Sequence, residues 1–202
     1  LSAQSFATTL LGDESLSLRP MQRIVEPLTL MGAKILPSKD GTLPLSILPA
    51  DSLQSIEYTL PVASAQVKSC IMFAGLFAKG ETKIIEEVVT RNHTETMFNA
   101  FEIPVETSTS GDKKTISLSK VEVIEPANID ICGDFSSASF FILAALISPD
   151  SEILIKNVGV NATRIGLLHA LRHMGANIEL LNEDGAYEPT ADILVKSSSL
   201  KG

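Results

Sequence analysis

The sequence predicts an α/β protein assembled from a repeated unit of helices and strands. A motif in which an amphipathic helix ends and a strand begins occurs at residues 28–35 and 171–178, with a weaker copy at 97–105. Apolar residues fill most positions of segment 64–77, which is typical of a buried helix. The polar, turn-rich segment 106–120 predicts connected strands. Because a recurring supersecondary unit buries its apolar face against its neighbours, we expect the units to pack against one another.

Glycine marks the end of the helix in two copies of the motif. Gly32 and Gly175 follow the last apolar helical residue, at the left-handed C-cap position that glycine adopts without steric cost. Glu102 stands at that place in the third copy. We therefore expect a less comfortable backbone at Glu102.

The unit can be followed element by element through two copies, each in the order helix, strand, helix, strand, strand. The first copy is predicted to comprise a helix over 64–77 ended by Gly80, a strand over 82–88, a helix over 92–101 and strands from Val105. The second is predicted to comprise a helix over 136–147, a strand over 152–158, a helix over 162–174 and the strands that follow. We expect a domain crossing near Ile131, between residues 1–131 and residues 132–202.

Composition excludes several classes of function. The net charge of −8 argues against binding to nucleic acid or to an anionic membrane surface, and no apolar run reaches the length of a membrane span. Cys70 and Cys132 both lie in apolar segments, so we interpret them as reduced core residues of a cytoplasmic protein. No cysteine or histidine has a partner at zinc-binding spacing, and we expect no metal.

Two predicted helix starts carry groups suited to an anion. Residues 64–69 read Ser-Ala-Gln-Val-Lys-Ser, and residues 91–95 read Arg-Asn-His-Thr-Glu. The first amides of a helix and its positive dipole end attract phosphate or carboxylate. From spacing alone, a plain serine N-cap on a core helix is the favoured explanation of Ser64.

Several segments together resemble the EPSP synthase family, the 3-phosphoshikimate 1-carboxyvinyltransferases. They are, in chain order, Arg19-Pro20-Met21, the Leu-Met-Gly-Ala turn at 30–33, residues 60–69, residues 91–95, Gly133-Asp134-Phe135-Ser136-Ser137-Ala138 and Asn161-Ala162-Thr163-Arg164. The resemblance implies an inside-out α/β barrel, the enolpyruvyl transferase fold, made of βαβαββ units with helices inside and sheets outside. Residues 1–131 would form most of the lobe that binds shikimate phosphate, and residues 132–202 the first repeat unit of the other lobe.

The resemblance also implies an activity. Family members transfer the enolpyruvyl group of phosphoenolpyruvate to the 5-hydroxyl of shikimate 3-phosphate and release phosphate, as cytoplasmic monomers without cofactor or metal. The family's upstream Lys-Ser pair and Gly-Asn-Ser-Gly-Thr loop are absent from this sequence, as are its downstream acidic proton acceptor and Lys-Glu-Ser-Asp-Arg-like block. We therefore expect an internal fragment that is inactive alone and contains no catalytic residue.

Substrate-binding residues follow from the same resemblance. Ser64, Ala65 and Gln66 would hold shikimate 3-phosphate, Arg91 would grip its phosphate, and Arg19 would bind the carboxylate or phosphate of phosphoenolpyruvate. Both substrates are anionic, so cations must offset their repulsion.

Other polar residues are interpreted as structural. We expect Lys68 to serve structure or the long-range field, Asp134 to be an N-cap or hinge residue, and Arg164 to pair with an acidic group. His93 is left out of the site. Of Glu86 and Glu87, strand alternation sends one to solvent.

Two other functions stay open. The related transferase that acts on UDP-N-acetylglucosamine shares the fold but should carry a reactive loop cysteine, for which Cys70 and Cys132 are unsuited. The second alternative is a non-catalytic interaction module of the same fold.

Overall fold

The computed structural model describes residues 1–185 and 187–202. Their contacts divide the chain into two compact units, one of residues 1–90 and 101–125 and the other of residues 91–100 and 126–202. The helices are α1 (Glu14–Ser17), α2 (Gln22–Leu30), α3 (Ala65–Gly75), α4 (His93–Ala100), α5 (Phe135–Ile147) and α6 (Gly166–His173). The strands are β1 (Thr8–Leu10), β2 (Lys34–Leu36), β3 (Leu45–Leu48), β4 (Leu53–Gln54), β5 (Glu57–Thr59), β6 (Ala78–Lys79), β7 (Glu81–Glu86), β8 (Glu106–Ser110), β9 (Lys113–Ser119), β10 (Glu152–Gly159), β11 (Asn177–Asp184) and β12 (Thr190–Lys196).

The strand pairing repeats along the chain, in line with the repeated order of helices and strands that the sequence predicted. One complete βαβαββ unit runs from β5 to β9, with sheet order β5-β7-β9-β8, in which β5 and β7 are parallel and the other pairs antiparallel. The sheets β1-β3-β2 and β10-β12-β11 have the order of its last three strands and are antiparallel throughout. In the unit that contains β10, β11 and β12, a single parallel bridge between Gly133 and Val158 stands where β5 pairs with β7 in the complete unit. The remaining pair, β4 and β6, is parallel.

Helix α3 is the buried helix of the compact unit of residues 1–90 and 101–125, as its apolar sequence predicted. It contacts α2 and strands β4, β6, β7 and β9. Ile71 and Met72 are fully buried, and so are Ile84 and Ile116 of the sheet. A methyl group on Gly75 would lie 3.0 Å from Leu118 Cδ1, so glycine permits the close approach of α3 to the sheet.

The second unit has its own core beneath helix α5. That helix packs on β10 and β12, and its buried face includes Ile142 and Leu146. The bulges in β10 and β11 contain Asn157 and Asn182 at positive φ, and Asp192 on β12 bonds to both. These hydrogen bonds lower the pKa of the Asp192 carboxyl.

The predicted helix ends are confirmed. Gly32 and Gly175 adopt φ of 92° and 87°, and Glu102, the exception in the third copy, is forced to φ 54°. The glutamate therefore occupies a left-handed conformation that disfavours residues with a Cβ.

One predicted helix begins later than expected. We predicted a helix over 162–174, but α6 begins at Gly166. The Asn161 side chain accepts hydrogen bonds from the Thr163 amide and hydroxyl at 2.9 Å and 2.6 Å, and its carbonyl accepts one from the Arg164 amide. This Asx turn offers the backbone an alternative to the first helical turn.

Two negative findings concern the described residues only. No helix there is both long enough and apolar enough to cross a membrane. Nor do three or more histidine, cysteine or acidic side chains come together there as ligands of a metal ion would.

Candidate functional site

The amino end of α3 is capped by a neutral side chain and leaves amides available. Ser64 is extended, with φ −141° and ψ 104°, and its Oγ accepts a hydrogen bond from the Val67 amide at 3.3 Å. The amides of Ala65 and Gln66 have no carbonyl acceptor within the helix, as at any helix start. Ser64 and Ala65 are half-buried and Gln66 is exposed, so these three of the predicted substrate-binding residues are accessible together at one helix start.

The amino end of α5 occupies the equivalent place in the next repeat, but its N-cap is the negatively charged Asp134. The Asp134 carboxylate accepts hydrogen bonds from the Ser137 amide at 3.0 Å and from the Arg164 guanidinium at 2.7 Å. The hydrogen bond from the Ser137 amide, with a smaller contribution from the charge of Arg164, lowers the pKa of Asp134. The predicted N-cap role of Asp134 and the predicted acidic partner of Arg164 are both confirmed.

A buried ion pair links the first turn of α3 to the end of β7. Lys68 Nζ lies 3.2 Å and 3.3 Å from the two carboxylate oxygens of Glu86, and both side chains are fully buried. The same carboxylate accepts hydrogen bonds from the amide and the hydroxyl of Thr90, the amide at 3.1 Å. Lys68 is therefore structural, the first of the two roles that we considered, and Glu86 is the inward member of the Glu86–Glu87 pair.

Arg91 follows Thr90 directly and precedes α4. Its side chain is exposed and makes no ion pair or hydrogen bond within the described part of the chain. Its neighbour Asn92 begins the helix, since the Asn92 carbonyl accepts hydrogen bonds from the amide and hydroxyl of Thr96 at 3.0 Å and 2.9 Å.

A polar cluster in the second unit holds the start of α4. Asn161 Nδ2 donates to Asn92 Oδ1 at 2.9 Å and to Glu188 Oε1 at 2.8 Å, and His93 Nδ1 lies 2.9 Å from the same Glu188 oxygen. The cluster borders a hollow of about 380 Å³ that Cys132 also lines. These contacts agree with the structural interpretation of His93. The hydrogen bond between Asn161 and Glu188 was not predicted from the sequence.

The arginines fall into engaged and unengaged groups. Arg164 pairs with Asp134, and Arg172 donates to the Ile178 carbonyl at 3.3 Å. Arg19, in the exposed turn between α1 and α2, has no ion pair or hydrogen bond through its side chain among residues 1–185 and 187–202, and the same holds for Arg91. A guanidinium without an acidic partner is available to an external anion, a property that Arg19 and Arg91 share with the exposed Arg23 of α2.

The cysteines are free, as predicted, but neither belongs to the core. Cys70 and Cys132 are both half-buried, and each lines a hollow. Burial raises the pKa of the Cys70 thiol, which favours its unreactive protonated form.

Comparison with known proteins decides the family. The sequence matches the profile described as EPSP synthase (3-phosphoshikimate 1-carboxyvinyltransferase) over residues 1–202. The chain belongs to the EPSP synthase family. This confirms the family that the sequence motifs predicted.

Individual members of the EPSP synthase family are similar along the whole chain. The 3-phosphoshikimate 1-carboxyvinyltransferase of Hydrogenovibrio crunogenus is 47% identical over 204 residues, and that of Pelobacter propionicus is 48% identical over 203 residues. A solved structure of EPSP synthase from Acinetobacter baumannii superposes with a TM-score of 0.87 at 47% identity and confirms the predicted fold. The chain is covered completely in each case but spans only 46% of each relative's length.

Proposed function

We propose that this chain supplies part of the substrate site of an enzyme that transfers the enolpyruvyl group of phosphoenolpyruvate to shikimate 3-phosphate. Membership of the EPSP synthase family supports this activity. The proposed enzyme is cytoplasmic, where its two thiols stay reduced. Because the chain spans 46% of its relatives' length, we propose that it does not turn over alone and that its residues bind substrate while the chemistry needs further groups.

The observation that carries this proposal is the neutral cap of α3. Ser64 Oγ and the amides of Ala65 and Gln66 offer hydrogen-bond donors to the oxygens of a phosphate, and the dipole of α3 adds positive potential. The exposed amide group of Gln66 has donors and an acceptor for a ring hydroxyl.

Two arginines are proposed to complete the binding of the two anions. Arg91 would bind the phosphate of shikimate 3-phosphate, and Arg19 the carboxylate or phosphate of phosphoenolpyruvate. Both guanidinium groups are exposed and lack acidic partners in the described residues. Residues 1–131 would belong to the lobe that binds shikimate phosphate and residues 132–202 to the other lobe.

The overall activity is tested in the complete enzyme that carries this sequence. Phosphate release should require phosphoenolpyruvate together with shikimate 3-phosphate and should not occur with UDP-N-acetylglucosamine. Release with the UDP-sugar would transfer the assignment to the related transferase, and no release with either acceptor would favour the non-catalytic module.

The helix start is tested by Ser64→Asp. Aspartate caps a helix as well as serine, so the stability should hold, but its carboxylate would oppose the substrate phosphate. We expect the KM for shikimate 3-phosphate to rise at least about tenfold, since a hydrogen bond to a charged group is worth about 1.5–3 kcal/mol. An unchanged KM would remove the α3 start from the site.

The arginine is tested by Arg91→Ala against the control Arg172→Ala, which removes the same charge from the end of α6. We expect Arg91→Ala to raise the KM for shikimate 3-phosphate about 10- to 100-fold. The control should leave it unchanged. Equal effects of the two variants would show that only net charge matters and would contradict a specific role for Arg91.

A further inference from the structure

We propose that Lys68, Glu86 and Thr90 form a positioning network for the binding of shikimate 3-phosphate, acting through Arg91. This inference rests on the proposed function. The network fixes Thr90, the residue from which Arg91 follows, against the first turn of the helix that begins at Ser64. None of the three side chains needs to touch the substrate.

The network begins one turn inside α3. The Lys68 amide donates to the Ser64 carbonyl at 3.1 Å, so the lysine belongs to the first hydrogen-bonded turn after the cap. Its ammonium reaches the Glu86 carboxylate at 3.2 Å without exposure to solvent. The ion pair therefore fixes the Glu86 carboxylate relative to the amino end of α3.

The network ends at Thr90, four residues beyond the end of β7. Glu86 Oε1 accepts hydrogen bonds from both the amide and the hydroxyl of Thr90, which folds residues 87–90 back onto the strand end. Two donors from one residue fix both its backbone and its side chain. The direction in which the chain continues to Arg91 is set by this contact.

Energetics favour a positional role over simple stabilisation. Removing two charges from water costs several kcal/mol for each ion, and apolar residues of similar volume in place of a buried pair are often neutral or stabilising. A fully buried lysine and glutamate are therefore a poor device for stability alone. Fixed placement of binding groups is a reason to keep such a pair, since a shift of 1 Å can cost about 100-fold in rate.

The test uses Thr90→Val in the complete enzyme, because valine keeps the shape of threonine and removes the hydroxyl. We expect the KM for shikimate 3-phosphate to rise about tenfold or more, while the KM for phosphoenolpyruvate stays unchanged and the melting temperature falls by no more than a few degrees from the loss of one hydrogen bond. Thr90→Ser, which keeps the hydroxyl, should restore the wild-type KM. The matched control is Thr107→Val on the exposed strand β8.

A second variant removes both charges of this ion pair together. Lys68→Met combined with Glu86→Leu should fold and should raise the same KM as Thr90→Val does. In an Arg91→Ala background, Thr90→Val should have no further effect on this KM, because the network acts through the arginine.

The outcomes separate this inference from the proposed function. If Arg91→Ala raises the KM for shikimate 3-phosphate but Thr90→Val and the double variant do not, the positioning network is refuted and the function stands. Equal increases of both KM values, or additive effects of Thr90→Val and Arg91→Ala, would also refute it. If Arg91→Ala itself has no effect, the substrate role of Arg91 fails first.

Discussion

The buried Lys68–Glu86 pair yields a sharp stability prediction. Lys68→Met leaves the Glu86 carboxylate fully buried without this cation, and Glu86→Leu removes the carboxylate that lies 3.2 Å from the buried ammonium. Removing one partner of a buried pair typically costs about 3–5 kcal/mol of unfolding free energy. The double variant removes both charges and replaces them with apolar volume, so its remaining cost is the loss of the two Thr90 hydrogen bonds, about 1 kcal/mol each, together with the loss of the further interaction that Lys68 makes.

The double variant should therefore be clearly more stable than the sum of its two component substitutions, which is about 6 kcal/mol or more. Urea unfolding of the chain, followed by circular dichroism, measures all four members of the cycle. A matched control is Lys113→Met, which breaks the exposed pair between Lys113 and Glu87 at 2.9 Å and should cost less than about 1 kcal/mol. A double variant as unstable as the sum of its single substitutions would refute the reasoning.

Three further predictions concern backbone strain and charge. Glu102→Gly should raise the unfolding free energy by about 0.5–1 kcal/mol, because relief of φ 54° outweighs the added chain entropy; a loss of stability in urea would contradict this. Gly80→Ala should cost about 2 kcal/mol or more, since φ is 94° and its Cβ would meet Ser55 Oγ at 2.5 Å; the control Gly111→Ala, with φ 60° and open space, should cost clearly less in the same assay. Asp134→Asn should lower the melting temperature near pH 7. Because the folded pKa of Asp134 lies below its ordinary value of 3.8, its stabilisation is present above that value and is lost as the pH falls through the folded pKa. The difference in melting temperature between wild type and variant should therefore persist at pH 5 and vanish well below pH 3.8, and a constant difference at low pH would exclude charge as its cause.

The features predicted correctly from the sequence are those that depend on the conformation of a single residue. The serine cap of α3, the glycine ends at Gly32 and Gly175 and the strain at Glu102 all follow from the conformations of single residues, and the structure has each of them. The start of α6 was predicted wrongly because a side chain, Asn161, competes with the backbone for the first turn. Periodicity of apolar residues carries no information about that competition.

The buried network was beyond local rules because its members are far apart in sequence. Lys68 and Glu86 are separated by 18 residues, and their pairing depends on how α3 packs on β7. One signal was present in the sequence. A lysine in the first turn of an otherwise apolar helix needs a buried partner, and a glutamate lies at an inward position of β7. The same reasoning applies to Asn161 and Glu188, whose contact depends on tertiary structure.

The repeat helps to explain why one helix start is proposed as a substrate site and its counterpart is not. Both α3 and α5 begin with a side chain that accepts a hydrogen bond from the amide three residues on, so both caps serve the helix equally. Ser64 does so as a neutral group and leaves the positive end of the dipole uncompensated. Asp134 brings a negative charge to that end and engages Arg164, so an external phosphate would meet repulsion there. One difference in cap chemistry can thus separate a binding position from a structural one within the same repeated unit.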